Sequence, residues 1–158
     1  MSIFDETNTP TEGNLVVSFS DILLFAKNCE SMSARQIFDM MSQFQTLVGE
    51  VIDGKGGRIV KFIGDAVLIV FPEDIARLAV ETLRVLKDQL DSWLSDQPLN
   101  CRMRVKAHLG PVVYGKLGPE SEKRFDVFGI MINETARLKG GDFIISKTLE
   151  RKINSQPG

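Results

Sequence analysis

The chain has 158 residues, of which 43% are hydrophobic and 25% are charged, a composition typical of a single globular domain. Nineteen basic and twenty-one acidic residues give a net charge of -2, so no overall field attracts nucleic acid or an anionic membrane. These values favour a small molecule or another protein as the partner.

The N-terminal segment MSIFDETNTPTEG is acidic and polar. It lacks the basic and apolar regions of a signal peptide, and no apolar run approaches the roughly 18 residues of a membrane span. We therefore expect a cytoplasmic chain without membrane contact, with a flexible tail at 1–12, one domain at 13–153 and a C-terminal tail at 154–158. Cys29 and Cys101 are expected to stay reduced and to pack as small apolar residues.

Two periodicities divide the chain into strands and helices. Runs rich in β-branched residues, or alternating apolar and polar residues, predict strands at 14–22, 59–63, 66–71, 101–109, 111–118, 124–129 and 142–146. Helical spacing predicts helices that begin at Ser33, where Gln36 completes a capping box, and at Pro72, then a short helix at 133–139 and a helical turn at 147–153. Hairpins mixed with crossover helices predict an α+β fold, with an antiparallel-rich sheet and helices on one face.

The strand at 101–109 has one apolar face and one basic face, and Gly110 is expected to end it. The basic face carries Arg102, Arg104, Lys106 and His108. We interpret this face as solvated or partner-facing, because a nucleic-acid site would need a basic groove with interleaved aromatic residues. His108, the only histidine, is interpreted as a residue that packs or faces solvent, with a catalytic base as the alternative.

Gly64 and Asp65 separate two apolar runs, a pattern typical of a tight hairpin with Asp65 at its tip. The simplest interpretation is that Asp65 is a favourable turn residue. If the first strand lies beside this hairpin, however, Asp21 and Asp65 emerge at the same end of the sheet and repel each other unless a cation lies between them. Hard oxygen ligands without nearby His or Cys favour magnesium or manganese, and two such ions support phosphoryl chemistry.

Four segments resemble the catalytic domain of class III adenylate and guanylate cyclases, in its short bacterial form. They are VVSFSDILLF, GGRIVKFIGDAVLIVF, AHLGPVVYGKLG and RFDVFGIMINETARL, and the resemblance runs from about residue 14 to residue 150. It implies a ferredoxin-like palm whose head-to-tail homodimer forms two active sites at the interface. It also implies conversion of ATP to cyclic AMP and pyrophosphate.

The same resemblance implies roles for individual residues. Asp21 and Asp65, with the Ile22 carbonyl, would hold two Mg²⁺ or Mn²⁺ ions per site. Asn133 and Arg137 would come from the other protomer. Asn133 would orient the ribose, and Arg137 would stabilise the charge that develops as the 3′-hydroxyl attacks the α-phosphorus.

Lys61 and Asp126 occupy the positions at which this family contacts the purine. Adenine has an acceptor at N1 and a donor amine at N6, which a cation and a carboxylate match, whereas guanine has the opposite polarity. The pair therefore favours ATP, although either residue alone is equally consistent with a strand residue that has no ligand. Phe25 is grouped with them as a substrate-binding residue.

Four features depart from the family pattern, and all concern the phosphate side of the site or its support. Leu24 and Ala26 replace a glycine and a threonine, and Pro111 stands where some members have an arginine. KGGDF shortens the helix after Arg137, and by the resemblance the family would add a last hairpin with a phosphate-binding lysine about where this sequence ends. Two functions remain compatible with the sequence: an adenylate cyclase, and a cyclase-like module that binds nucleotide or a regulatory protein partner without turnover.

Overall fold

The computed structural model describes residues 2–5 and 9–157, which form a six-stranded sheet with helices on both faces. The strands are β1 (Thr11–Leu23), β2 (Arg58–Ile63), β3 (Ala66–Pro72), β4 (Arg102–Leu117), β5 (Arg124–Phe128) and β6 (Phe143–Ile145). The helices are α1 (Phe25–Asn28), α2 (Ala34–Ile52), α3 (Ala76–Ser95), α4 (Ile130–Ala136) and α5 (Lys147–Ser155), with a 3₁₀ turn at Glu73–Ile75 before α3.

The central strand is β1, which lies between β3 and β4 in the order β2-β3-β1-β4-β5. All four of these pairings are antiparallel, and β6 adds to β4 in the parallel direction. β1 pairs with β4 along its whole length, from Thr11 opposite Tyr114 to Leu23 opposite Arg102. The predicted α+β class with an antiparallel-rich sheet is therefore confirmed.

Side chains alternate across the sheet and build an apolar core on each face. On one face, which we call the helix-side core, Val16 of β1 lies in the same cluster as Phe44 of α2 and Leu83 of α3. On the other face, the α4-side core contains Leu15 of β1 and Met131 of α4. The prediction that all helices share one face is wrong for α4, because its apolar residues pack on the opposite side from α2 and α3.

The sheet curls so that its two end strands, β2 and β5, meet over the α4-side core. The guanidinium of Arg58 in β2 lies 4.4 Å from the ring centroid of Phe125 in β5. Lys61 Nζ, also in β2, donates to Asp126 Oδ2 in β5 at 3.0 Å. This curl places the two residues predicted to contact the purine next to each other, although they are 65 positions apart in the chain.

Both predicted tails contain residues that contact the domain. Phe4 is 1% exposed in the α4-side core, and β1 begins at Thr11 rather than at residue 14. At the other end, α5 continues to Ser155, and the Gln156 side chain accepts a hydrogen bond from the backbone of Arg77 at 3.2 Å. The remaining tail positions 1, 6–8 and 158 lie outside the described residues.

The predicted break at Gly110 does not occur, because β4 continues without interruption to Leu117. Pro111 is paired with Asn14 of β1. It lies between the part of β4 that pairs with β6 and the part that pairs with β5, so its missing N–H removes no ladder bond on that outer edge. Pro72 ends β3 and is also the N-cap of the 3₁₀ turn at Glu73–Ile75 that leads directly into α3, so the predicted helix start at this proline is displaced by one short turn.

The capping box at the start of α2 is present as predicted. Gln36 N–H donates to Ser33 Oγ at 3.1 Å, and Ser33 N–H donates to Gln36 Oε1 at 2.8 Å. Within the described residues, no helix combines the length and the apolar character that crossing a membrane requires.

Candidate active site

The structure brings Asp21 and Asp65 together near one end of the sheet. Asp21 lies on the α4-side face of β1, opposite Ala66 of β3. Asp65 precedes Ala66 in the turn between β2 and β3, where Gly64 supplies the positive φ of 59°. The register between these two neighbouring strands therefore determines the positions of both carboxylates. The sequence predicted this proximity on the condition that the first strand lies beside the hairpin.

Electrostatics at Asp65 favour a bound cation. Burial raises the pKa of the Asp65 carboxyl, its own backbone N–H lowers it, and repulsion from Asp21 raises it again. A divalent cation between the two carboxylates would relieve both the burial cost and the repulsion. Among the described residues, no group of three or more His, Cys, Asp or Glu side chains is arranged to hold a metal. Additional oxygen ligands, such as the Ile22 carbonyl and substrate phosphates, would therefore be needed to complete the site.

The expectation that no cysteine lies near these carboxylates is wrong. Burial raises the pKa of both Cys29 and Cys101, and the charge of Asp65 raises it further. Both thiols are therefore protonated at neutral pH, whereas a soft metal needs a thiolate ligand. The donor set consequently still fits Mg²⁺ or Mn²⁺ better than zinc.

Arg104 of β4 binds Asp21 directly from the neighbouring strand. Its Nε lies 3.1 Å from Asp21 Oδ1, and its Nη2 lies 2.7 Å from Oδ2. This is the paired, two-bond geometry that guanidinium and carboxylate groups prefer. The hydrogen bond to Asp21 is the main reason that the pKa of Arg104 is raised. The interpretation of the basic face of β4 as solvated or partner-facing is thus wrong at Arg104.

The next two basic residues of β4 hold the end of α4. Lys106 Nζ donates to the Ala136 carbonyl at 2.6 Å. His108 lies between Ser146 Oγ, at 2.7 Å from Nδ1, and Glu134 Oε2, at 3.2 Å from Nε2. Since a carboxylate only accepts, Nε2 is the donor in the bond to Glu134. His108 therefore has both ring nitrogens bonded, as in a packing residue.

A pocket of about 460 Å³ opens on the α4-side face and reaches from Lys61 to Asn133. Its volume is within the usual range for small-molecule sites. Lys61 lines this pocket, and its amino group donates to Asp126, whose other oxygen accepts the Val127 N–H at 2.8 Å. A larger hollow of about 540 Å³ at the end of α2 contains none of the predicted site residues, so size alone does not identify the site.

Asn133 and Arg137 are both exposed at the C-terminal part of α4. Asn133 lines the pocket beside Lys61, and the backbone N–H of Arg137 bonds to the Asn133 carbonyl at 3.2 Å. The predicted residues thus form two groups in this chain. One group comprises Asp21 and Asp65 at the sheet end, and the other comprises the purine-side residues together with α4.

The turn after β1 is strained. Leu24 has φ 63° and ψ 18°, and it is the one non-glycine residue with positive φ in the described part of the chain. Its side chain is 54% exposed, so packing contributes little to offset the strain. Phe25, which follows, packs against the helix-side core and does not line the pocket beside Lys61.

Together, the sheet and the two groups of side chains define an α+β catalytic domain of the nucleotide cyclase type. The chain belongs to the family described as the adenylate and guanylate cyclase catalytic domain, whose model matches residues 8–143. The class III resemblance inferred from the sequence is therefore confirmed.

Three similar proteins illustrate this relationship. An adenylate cyclase of Anabaena cylindrica is 24% identical over 143 residues, which are 85% of this chain and 28% of that protein. The crystal structure of the adenylyl cyclase CyaB from P. aeruginosa has a TM-score of 0.82 at 22% identity and covers 92% of this chain and 83% of that one. The crystal structure of the guanylyl cyclase Cya2 has a TM-score of 0.73 at 26% identity and covers 90% of this chain and 79% of that one. The chain thus spans between a quarter and a third of the length of the first of these relatives.

We expect Leu24→Gly to raise the free energy of unfolding by about 1 kcal/mol, because glycine adopts positive φ without a Cβ clash. Urea denaturation monitored by circular dichroism measures the change. Leu23→Gly is the matched control, since Leu23 lies in extended β1, where glycine lowers stability. Equal destabilisation by both substitutions would contradict the assignment of strain to Leu24.

Proposed function

We propose that this domain is an adenylate cyclase, which converts ATP to cyclic AMP and pyrophosphate. The observation that carries the proposal is the position of Asp65 beside Asp21 at the end of the central strand. The adenylate cyclase of Anabaena cylindrica among the relatives supports the choice. Since Cya2 is a guanylyl cyclase, family membership alone does not determine whether the substrate carries adenine or guanine. The argument for adenine comes from Lys61 and Asp126.

In this proposal, each group of residues has a defined task. Asp21, Asp65 and the Ile22 carbonyl would hold two Mg²⁺ or Mn²⁺ ions, which when bound polarise phosphate oxygens and lower the pKa of the attacking hydroxyl. Asn133 would orient the ribose by hydrogen bonding. Arg137 would donate to the α-phosphate oxygens as negative charge builds on them.

We further propose that the domain acts as a head-to-tail homodimer, in which the two groups of one chain serve different active sites. Apolar side chains surround the pocket and the start of α4 on the surface of the single chain. They are Ile63, Val113, Phe128 and Ile130, which are 47%, 40%, 54% and 77% exposed. Exposed apolar residues concentrated in this way are typical of an interface, and a second copy would cover them while completing the site.

A nucleotide-binding module without turnover is the second candidate function. The strained Leu24 next to the metal carboxylates favours it, because the Leu24 side chain restricts close approach of a triphosphate to the backbone. ATP binding without formation of cyclic AMP would identify this function.

The purified chain should form cyclic AMP from ATP in the presence of Mn²⁺, and Asp65→Ala should abolish this activity. We expect at least a hundredfold loss, because the substitution removes one of two metal carboxylates, whereas the fold should change by less than about 1 kcal/mol. Cyclic AMP formation and thermal unfolding measure the two effects. Asp53→Ala, at an exposed position after α2, is the control and should keep wild-type activity. Activity retained by Asp65→Ala would show that the metal assignment is wrong.

ATP should be preferred over GTP by about tenfold to a hundredfold for each of the Lys61 and Asp126 contacts, because guanine leaves both groups mismatched. The double substitution Lys61→Glu with Asp126→Ser should shift the preference towards GTP, since a carboxylate accepts from guanine N1–H. The two residues bond to each other, so replacing both leaves no unpaired partner. Competition assays with both nucleotides measure kcat/KM ratios. Equal use of ATP and GTP by the wild type would exclude this role.

Phe128→Glu should weaken the proposed homodimer by at least tenfold, because it places a charge within an apolar interface. Analytical ultracentrifugation over a concentration series measures the dissociation constant. Phe38→Glu is the matched control: Phe38 is 72% exposed on α2, away from the pocket, and its replacement should leave dimerisation unchanged. A wild type that stays monomeric at high concentration with ATP and metal would rule out the homodimer.

A further inference from the structure

We infer that the Arg104 guanidinium occupies the cation position beside Asp21 and neutralises this carboxylate in the metal-free protein. Metal binding at Asp21 and Asp65 then depends on the bound nucleotide. This inference rests on the proposed function at one point, namely that Asp21 and Asp65 hold the metal. It gives a role to a residue whose sequence pattern indicates only that it belongs to the basic face of a strand.

The ion pair is built into the sheet. Asp21 and Arg104 are directly opposite each other in the β1–β4 ladder, so their backbones cannot separate without breaking strand pairing. Both oxygens of Asp21 accept from the guanidinium, at 3.1 and 2.7 Å. The two side chains are 33% and 25% exposed, which reduces the screening that weakens most surface ion pairs. Arg104 is therefore a stable occupant of the position that a metal would need.

The charges around Arg104 explain its effect on a metal. Asp65 and Asp142 also attract this guanidinium, so Arg104 lies in the combined field of three carboxylates. A divalent cation held by Asp21 and Asp65 would lie in the same field and would be repelled by this positive charge. The affinity for the metal would be lowered in either case, whether Arg104 moves away from Asp21 or remains bonded to it.

A nucleotide changes this balance, because its phosphates bring several negative charges to the same place. They attract the metal and the guanidinium at once and so offset the repulsion between the two cations. Metal alone is then bound weakly, whereas metal with polyphosphate is bound well. Coupling of this kind is reciprocal, so the metal strengthens nucleotide binding by the same factor.

Mn²⁺ binding to the full chain, measured by electron paramagnetic resonance without nucleotide, tests the inference independently of turnover. Arg104→Met should lower the Kd for Mn²⁺ about tenfold. A change of this size is comparable to the effect that one bound ligand usually has on the affinity for another. Arg102→Met is the matched control. Arg102 lies on the same face of β4, pairs with Asp142 and is 58% exposed, so its loss should change the Kd by less than about twofold. Arg104→Lys, which keeps the charge, should resemble the wild type.

A second readout follows thermal unfolding with Mn²⁺ alone and with Mn²⁺ plus inorganic pyrophosphate. For the wild type, most of the stabilisation should require pyrophosphate, whereas Arg104→Met should gain a larger share from Mn²⁺ alone. Arg104→Gln lacks the charge but keeps hydrogen-bonding groups, and it replaces Arg104→Met if that variant does not fold.

The outcomes separate the two proposals. A purely structural role for Arg104 would leave Mn²⁺ binding weaker or unchanged in Arg104→Met, and either result overturns the inference while the metal site stands. If the Asp65→Ala variant binds Mn²⁺ as tightly as the wild type does, the metal site itself is wrong, and the role of Arg104 is wrong with it.

Discussion

The register of β1 between β3 and β4 determines where the chemistry-bearing side chains lie. Because strand side chains alternate, a slip by one residue would move Asp21 to the helix-side face and bring its neighbour Ser20 to the α4-side face. The helix-side face there is dry: Ser18 and Ser20 are fully buried, and their hydroxyls bond to each other at 3.1 Å. An unpaired carboxylate in that environment would carry a large desolvation cost. The apolar cores on the two faces therefore specify the position of Asp21.

Sequence patterns predicted the parts of the site that local order determines. The end of a strand at Asp21, the turn at Asp65 and the capping box at the start of α2 each depend on a few neighbouring residues. The pairing of β1 with β3, which brings the two carboxylates together, entered the prediction only as a condition. The curl of the sheet and the side occupied by α4 depend instead on long-range contacts, such as that between Arg58 and Phe125. Alternation along β4 showed that a basic face exists, but periodicity gives no information about the group opposite each residue.

The basic face of β4 links the two groups of site residues within one chain. Arg104 bonds to Asp21 in the metal group, while Lys106 and His108 bond to α4, which carries Asn133 and Arg137. In the proposed dimer these two groups belong to different active sites. A single strand therefore contacts both groups through alternate side chains on one face. The register that places Arg104 opposite Asp21 is set by the pairing of β1 with β4, which the periodicity of either strand alone does not reveal.

The departures from the family pattern concern substrate binding more than the chemical step. Under the proposed function, Leu24 would hinder approach of the triphosphate. Arg104, which is not itself one of these departures, would oppose the metal before the nucleotide arrives. Neither residue belongs to the group of Asn133 and Arg137, whose proposed interactions strengthen as charge develops on the α-phosphate. An interaction that is lost equally from the substrate complex and the transition state raises KM and leaves kcat unchanged. On this reasoning, the sequence changes around β1 are compatible with a functioning cyclase that has a weak affinity for its metal and nucleotide.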